Sequence, residues 1–332
     1  MLPFALLAVA AVTGGYGVKK GVDAHKDNRQ AKKLAASAER IFASARDRLE
    51  RSRDSCTETL EGLGRRKLRA WDADLGRFVQ LFEQLKAVEL EGASEVQQLG
   101  AAAFSRHELM RMKELSGYAR EVTAGGIGAL GSGALVGMAT YGGATMFASA
   151  STGTAIATLG GAAATNATLA WFGGGALAAG GLGMAGGMVV LGGIVAGPVL
   201  AVGGVVLAAK ARSNLARATS NQSKARQAAA QMHTARALVE GIEAVATDFQ
   251  ELIAAVSDRF GPVLDQLEAV IAAAGTHYGD FDEAQRRTVH VSVVMAQVLK
   301  VLLETPILKP DGGLHPEHVS ALERGRLLLA GA

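Results

Sequence analysis

The chain has 332 residues, and its 34 Lys and Arg against 31 Asp and Glu leave a formal charge of +3, too small an excess to argue for a nucleic-acid partner. Apolar residues make up 49%, aromatics only 5%, and there are 42 Gly but 6 Pro, which favours an all-helical protein over a sheet protein. Cys56 is the only cysteine, so internal disulfides are excluded and a reducing compartment fits better than a disulfide-stapled secreted toxin.

Residues 1–18 are apolar and end at Lys19 and Lys20. Their length is near the lower limit for a spanning helix. Ala8-Val9-Ala10 loosely imitates a signal-peptide cleavage site, yet no basic residue precedes the apolar stretch. A retained membrane or hairpin-packing segment is the favoured reading; a signal peptide and a buried helix are the alternatives. The trailing lysines place its C-terminal end in the cytoplasm.

Residues 19–121 predict the first part of an amphipathic helical stalk. Leu34, Ile41, Ala45, Leu49, Cys56, Leu60 and Leu63 recur at three, four or seven, and Trp71, Leu75, Phe78, Phe82 and Leu85 continue the seam. Charges fill the other faces, as a solvated helix requires, and Gly62 and Gly64 are expected to kink or interrupt it. After a mixed connector from Gly92, Ser105 and Glu108 have the spacing of a capping box that opens a helix over 105–121.

Residues 122–209 contain no Asp, Glu, Lys, Arg or His. An outer surface in water needs charge, so this quarter of the chain must face lipid or be wrapped by protein. It predicts a membrane-inserting helical region of up to about four spans. Gly133 and Gly137, Gly183 and Gly187, and Gly193 and Gly197 repeat at the four-residue spacing that lets helix backbones approach in lipid. Asn166 suits a turn, with a cross-helix hydrogen bond or a pore lining as alternatives; Trp171 suits a membrane interface or a packed site, and Pro198 a kink. Without charged residues the run offers no proton relay or ion-coordinating carboxylate. Lys113, Arg120, Lys210, Arg212 and Arg217 flank it with positive charge, and an even number of crossings keeps them on the cytoplasmic side.

Residues 210–274 predict the second stalk part, with Ala225, Ala229, Met232, Val239, Ile242, Phe249, Val256 and Phe260 as its seam. Gly261-Pro262 is expected to end or bend that helix, with a further helix over 263–274. A small helical segment, 275–332, closes the chain: Asp282 caps a helix through Leu303, Pro306 and 309–313 form a loop, and a last helix covers 316–329. The two seams flank the uncharged run and are expected to pair as an antiparallel stalk around a Gly/Ala-rich hydrophobic hairpin.

His315-Pro316-Glu317-His318 tempts as a metal site, but two histidines at that spacing without further partners fit a solvated loop and helix start. No GxxxxGK[ST] motif and no Ser/His/Asp or Cys/His grouping can be assembled, and Asp280, Asp282 and Glu283 near His277 suit caps. The expectation is a non-enzyme with no cofactor and no metal.

The tract Thr152-Gly153-Thr154-Ala155-Ile156-Ala157-Thr158-Leu159, continued by Ala163-Ala164-Thr165-Asn166-Ala167-Thr168-Leu169-Ala170-Trp171-Phe172-Gly173-Gly174-Gly175 and by Val195-Ala196-Gly197-Pro198, resembles a recurring, functionally uncharacterised bacterial group built on a glycine-rich hydrophobic hairpin. In layout alone the chain is similar to apolipoprotein-L-like proteins and α-helical pore-forming toxins, which implies membrane insertion and permeabilisation by analogy. The expected function is thus pore formation or membrane remodelling through a Gly-zipper-like hairpin. The alternative is a soluble or peripheral bundle or adaptor that shelters the hairpin and acts through a partner protein. The expected partners are the lipid bilayer, further copies of the chain and a protein bound through the stalk, but no nucleic acid. The expected location is the bacterial inner membrane, with the charged helices cytoplasmic.

Overall fold

A computed structural model describes residues 4–86, 88, 104–125, 132–142, 215–309 and 313–331. Of these about 89% are helical and none forms a strand, so the protein is all-α. The chain divides into two compact units: unit 1 is Met1–Arg53 with Val195–Leu238, and unit 2 is Asp54–Ile194 with Val239–Ala332. Two long helices contribute to both, α1 (Phe4–Arg69) and α5 (Leu215–Ala274). The apolar stretch 1–18 is therefore not set off by a break: from Phe4 onward it is the start of the 66-residue α1. Among the described residues no helix is long and apolar enough to cross a membrane.

In unit 1 the seam is made of small side chains. Ala31, Ala38 and Ala45 repeat every seven residues on α1, as do Ala218, Ala225 and Met232 on α5, and all are buried. Ala45 and Leu49 pack with Ala228, Ala229 and Met232, flanked by Ile41, Phe42 and Ala235. The Gln222 amide donates to the Ser37 hydroxyl at 3.2 Å. Partners ascend together along both helices, so the pair runs parallel. Unit 2 repeats this polarity: Ser55 bonds Glu243 at 2.6 Å, Arg77 pairs with Asp265 at 2.7 Å, and the Lys86 amide donates to the Thr276 carbonyl at 2.8 Å. The expected antiparallel stalk is corrected accordingly. A seven-residue seam fits a partner of either direction, and polarity is decided by which polar side chains meet across it.

Unit 2 holds most of the large apolar side chains. After α1 comes a π-helical turn (Ala70–Leu75), then α2 (Gly76–Phe82), α3 (Arg106–Ala124), α4 (Ser132–Tyr141), the rest of α5, α6 (Glu283–Glu304) and α7 (Glu317–Gly331). The helix α3 runs against α2, with Lys113 on Glu83 at 2.7 Å and Arg120 on Asp72 at 3.4 Å. Phe78 is the centre of an aromatic group with Phe82, Phe104 and Phe260, their ring centroids 5.3, 6.0 and 6.1 Å away.

Neither long helix is interrupted at the expected points. Gly62 and Gly64 lie within α1, and α5 continues through Gly261 and Pro262. A helix-interior proline costs about 3 kcal/mol. Here Pro262 is exposed, as is Asp258, whose carbonyl loses its amide donor and can turn to water. Phe260, Leu264 and Leu267 are buried on the other side, at roughly 2 kcal/mol each, so burial outweighs the break. The helix ends instead at Gly275, where φ of 84° favours glycine.

Both expected caps form. The Glu108 amide donates to Ser105 Oγ at 3.2 Å, and the Gln285 amide to Asp282 Oδ1 at 2.8 Å, with the reciprocal bonds that complete each capping box. Asp282→Ala should lower stability by about 1 kcal/mol in urea denaturation, with Asp280→Ala, outside the capping box, as the comparison.

Candidate functional site

The C-terminal turns of α1 carry a charged residue where the seam calls for an apolar one. Lys67 stands four residues after Leu63 and four before Trp71, and only 2% of it is exposed. Its ammonium donates to the Ala139 carbonyl and to the Thr305 carbonyl, each at 3.2 Å, and lies 5.5 Å from the centre of the Phe249 ring. Ala139 is in the last turn of α4, and Thr305 is the residue that caps the C-terminus of α6. One amine thus binds two helix C-termini, where carbonyls lack helical donors and the helix dipole favours positive charge. Neither partner is a carboxylate, and burial lowers the Lys67 pKa from 10.5 to about 7.

Around this amine, α4 is held by its backbone. A Cβ added at Gly64 would collide with the Leu135 carbonyl group, and one at Gly142, where φ is 67°, with the Glu304 carbonyl. The Thr140 carbonyl accepts from the amides of Ile307 at 2.7 Å and Leu308 at 3.1 Å. Leu135, Met138, Ala139 and Thr140 are buried.

The π-helical turn grips the neighbouring helices. Asp72 accepts from the Thr123 hydroxyl at 2.6 Å and pairs with Arg120, so it fastens α3 where the uncharged run begins. Asp74 accepts from Ser257 at 2.6 Å; burial is the main cause raising its pKa, opposed by that hydrogen bond. A π-helical insertion shifts side-chain direction within the turn. Here it turns two carboxylates toward different neighbours, α3 and α5, while Trp71 and Leu75 stay buried.

The described parts of the run, 122–125 and 132–142, therefore meet α1 and its π-helical turn within unit 2. Gly133 and Gly137 belong to α4, and Gly137 is buried. Arg120 is exposed and paired with Asp72. Lys19 and Lys20 lie within α1. Gly183, Gly187, Gly193, Gly197, Asn166, Trp171, Pro198, Lys210 and Arg212 lie outside the described residues. His315 and His318 serve the start of α7, where His315 Nδ1 accepts from the Glu317 amide at 3.4 Å. Among the described residues no group of three His, Cys, Asp or Glu gathers to hold a metal.

Sequence reasoning passed over Lys67 because it sits in the basic string Arg65-Arg66-Lys67-Leu68-Arg69. The available signal was its place on the apolar seam. No protein-family model, curated protein or solved structure matches this chain.

Proposed function

We propose that this chain is a membrane-inserting helical protein whose uncharged run, 122–209, enters lipid, forming a pore or remodelling the bilayer through its repeated glycines. The observation that carries the reading is the absence of every Asp, Glu, Lys, Arg and His side chain from that run. The similarity to the glycine-rich hairpin group, to apolipoprotein-L-like proteins and to pore-forming toxins agrees with it in layout. The bacterial inner membrane, with the charged helices in the cytoplasm, is the location consistent with the basic flanks.

The burial of Leu135, Met138 and Ala139 favours a sheltered form, in which the start of the run is held by Lys67 and Gly64 before insertion. A peripheral bundle or adaptor that hides the run and acts through a partner is the second reading, favoured by the same burial. Alkaline carbonate extraction of membranes from cells making the untagged protein separates the two. Retention in the pellet supports insertion; complete release overturns it. Leakage from sealed vesicles then distinguishes a pore from a scaffold.

If the glycines assemble the inserted form, Gly187→Leu blocks close backbone approach and should abolish oligomers seen by crosslinking in membranes. Oligomers unchanged from those of the unaltered chain would rule out the zipper.

A further inference from the structure

The charge of +3 conceals an uneven distribution. Unit 1 holds 17 Lys and Arg against 5 Asp and Glu, while unit 2 holds 17 against 26. The excess in unit 1 is +12 and in unit 2 −9. Residues 210–239 contain Lys210, Arg212, Arg217, Lys224, Arg226 and Arg236 and no acid at all. Among residues 19–38, six bases face two acids. Two of the acids of unit 1, Asp47 and Glu50, share Arg46, so the remaining acids can neutralise only a minority of the bases.

Much of the described charge lies on the outside. Arg29, Lys32, Lys33, Arg217 and Lys224 are exposed. At about 100° per residue, Arg29, Lys33 and Arg40 lie roughly opposite the buried Ala31–Ala38–Ala45 seam of α1. The parallel pairing in unit 1, fixed by Ser37 and Gln222, brings the described parts of the two base-rich stretches, on α1 and α5, side by side and pointing the same way. In sequence each follows directly on an apolar stretch, 1–18 and 188–209.

We infer that the paired helices of unit 1 form a surface for anionic phospholipid headgroups. Bases that continue directly from apolar segments lie at headgroup depth when those segments enter a bilayer, and the negative surface potential then adds to insertion. Nucleic acid fits less well. The stretches 19–53 and 210–238 contain Phe42 as their one Phe, Tyr or Trp, and it is partly buried, so they offer no platform for stacking bases. The inference rests on the membrane-inserting reading and names the lipid that reading engages.

The test is co-flotation of the full chain with vesicles of phosphatidylcholine alone and with about 30 mol% phosphatidylglycerol, at low and raised salt. Binding to the anionic vesicles should be at least about tenfold tighter and weaken with salt. Lys32→Gln, Lys33→Gln, Arg217→Gln and Lys224→Gln together should remove about tenfold or more of it, since Gln preserves helix propensity. Arg106→Gln with Arg287→Gln, in unit 2, should leave binding within about twofold. Equal binding to both vesicle types, unchanged by the four substitutions, overturns this inference and leaves membrane insertion standing. Binding to neither overturns both. Tighter binding to a short RNA duplex than to the anionic vesicles at the same salt overturns it in favour of a nucleic-acid surface.

Discussion

Gly64→Ala is expected to loosen α4 from unit 2, although alanine is the better helix former. Inside a helix the exchange gains about 1 kcal/mol in propensity. The added methyl would occupy the space of the Leu135 carbonyl, a backbone group that cannot rotate away as a side chain can. Overpacking of this kind costs about 1–3 kcal/mol, and α4 must shift to relieve it. Gly117 and Gly241 have nothing within 4 Å of the position of a Cβ, so the same exchange there should stabilise by up to about 1 kcal/mol. A Met138→Cys reporter measures the release directly, because Met138 is buried in α4. Cys56 contributes little background: burial first, then the charge of Glu243, pushes its pKa up to about 12. Labelling of the introduced thiol should be slow while Gly64 is in place and markedly faster when Gly64→Ala is added. Equal rates would show that the close approach does not hold the run.

Lys67→Met is expected to remove a pH dependence from stability. Burial holds the Lys67 pKa at about 7 in the folded protein, against 10.5 for an ordinary lysine. Between those values the unfolded chain binds the extra proton, so the contribution of Lys67 to stability increases with pH. It decreases as pH falls toward 7 and is constant below. From pH 7 to 9 the gain should be about 2 kcal/mol, with a slope of at most about 1.4 kcal/mol per pH unit. Cys56 acts with the opposite sign, since its raised pKa lowers stability above about pH 9, and the lower window avoids it.

Methionine conserves the volume and removes the proton, but leaves the Ala139 and Thr305 carbonyls without their donor, at roughly 1–3 kcal/mol each. The variant should thus fall furthest below wild type at pH 9, and the gap should narrow by about 2 kcal/mol on going to pH 7. Urea denaturation at the two pH values checks this. Parallel stability curves would mean that the buried amine does not titrate in this range. The direction matters for the proposed function: a fall in pH from 9 to 7 lowers the stability of the fold that packs Ala139, at the root of the run.

The local features were legible residue by residue. Ser105 with Glu108, and Asp282 with Gln285, satisfy orphan amides within one turn, so their geometry is set by neighbours in sequence. The apolar seams were legible for a related reason: Leu49, Cys56, Leu60, Leu63, Met232, Val239, Ile242 and Phe249 follow the helical period and are all buried. Other features depended on partners far along the chain. Pro262 stays helical because Phe260, Leu264 and Leu267 find a buried surface, and Gly64 is a contact point because Leu135 arrives beside it.

By itself the sequence determined that the chain is helical, where α3, α6 and α7 begin, which faces the long helices bury, and that residues 122–209 carry no charge to meet water. Only the tertiary structure decided that the long helices pair in parallel, that a π-helical turn aims Asp72 and Asp74 at separate helices, and that Lys67 is an interior amine. Periodicity records which side of a helix is buried, a property of the segment alone. It does not record the direction of the partner, nor whether a carbonyl from 72 or 238 residues away waits at a seam position to accept a hydrogen bond.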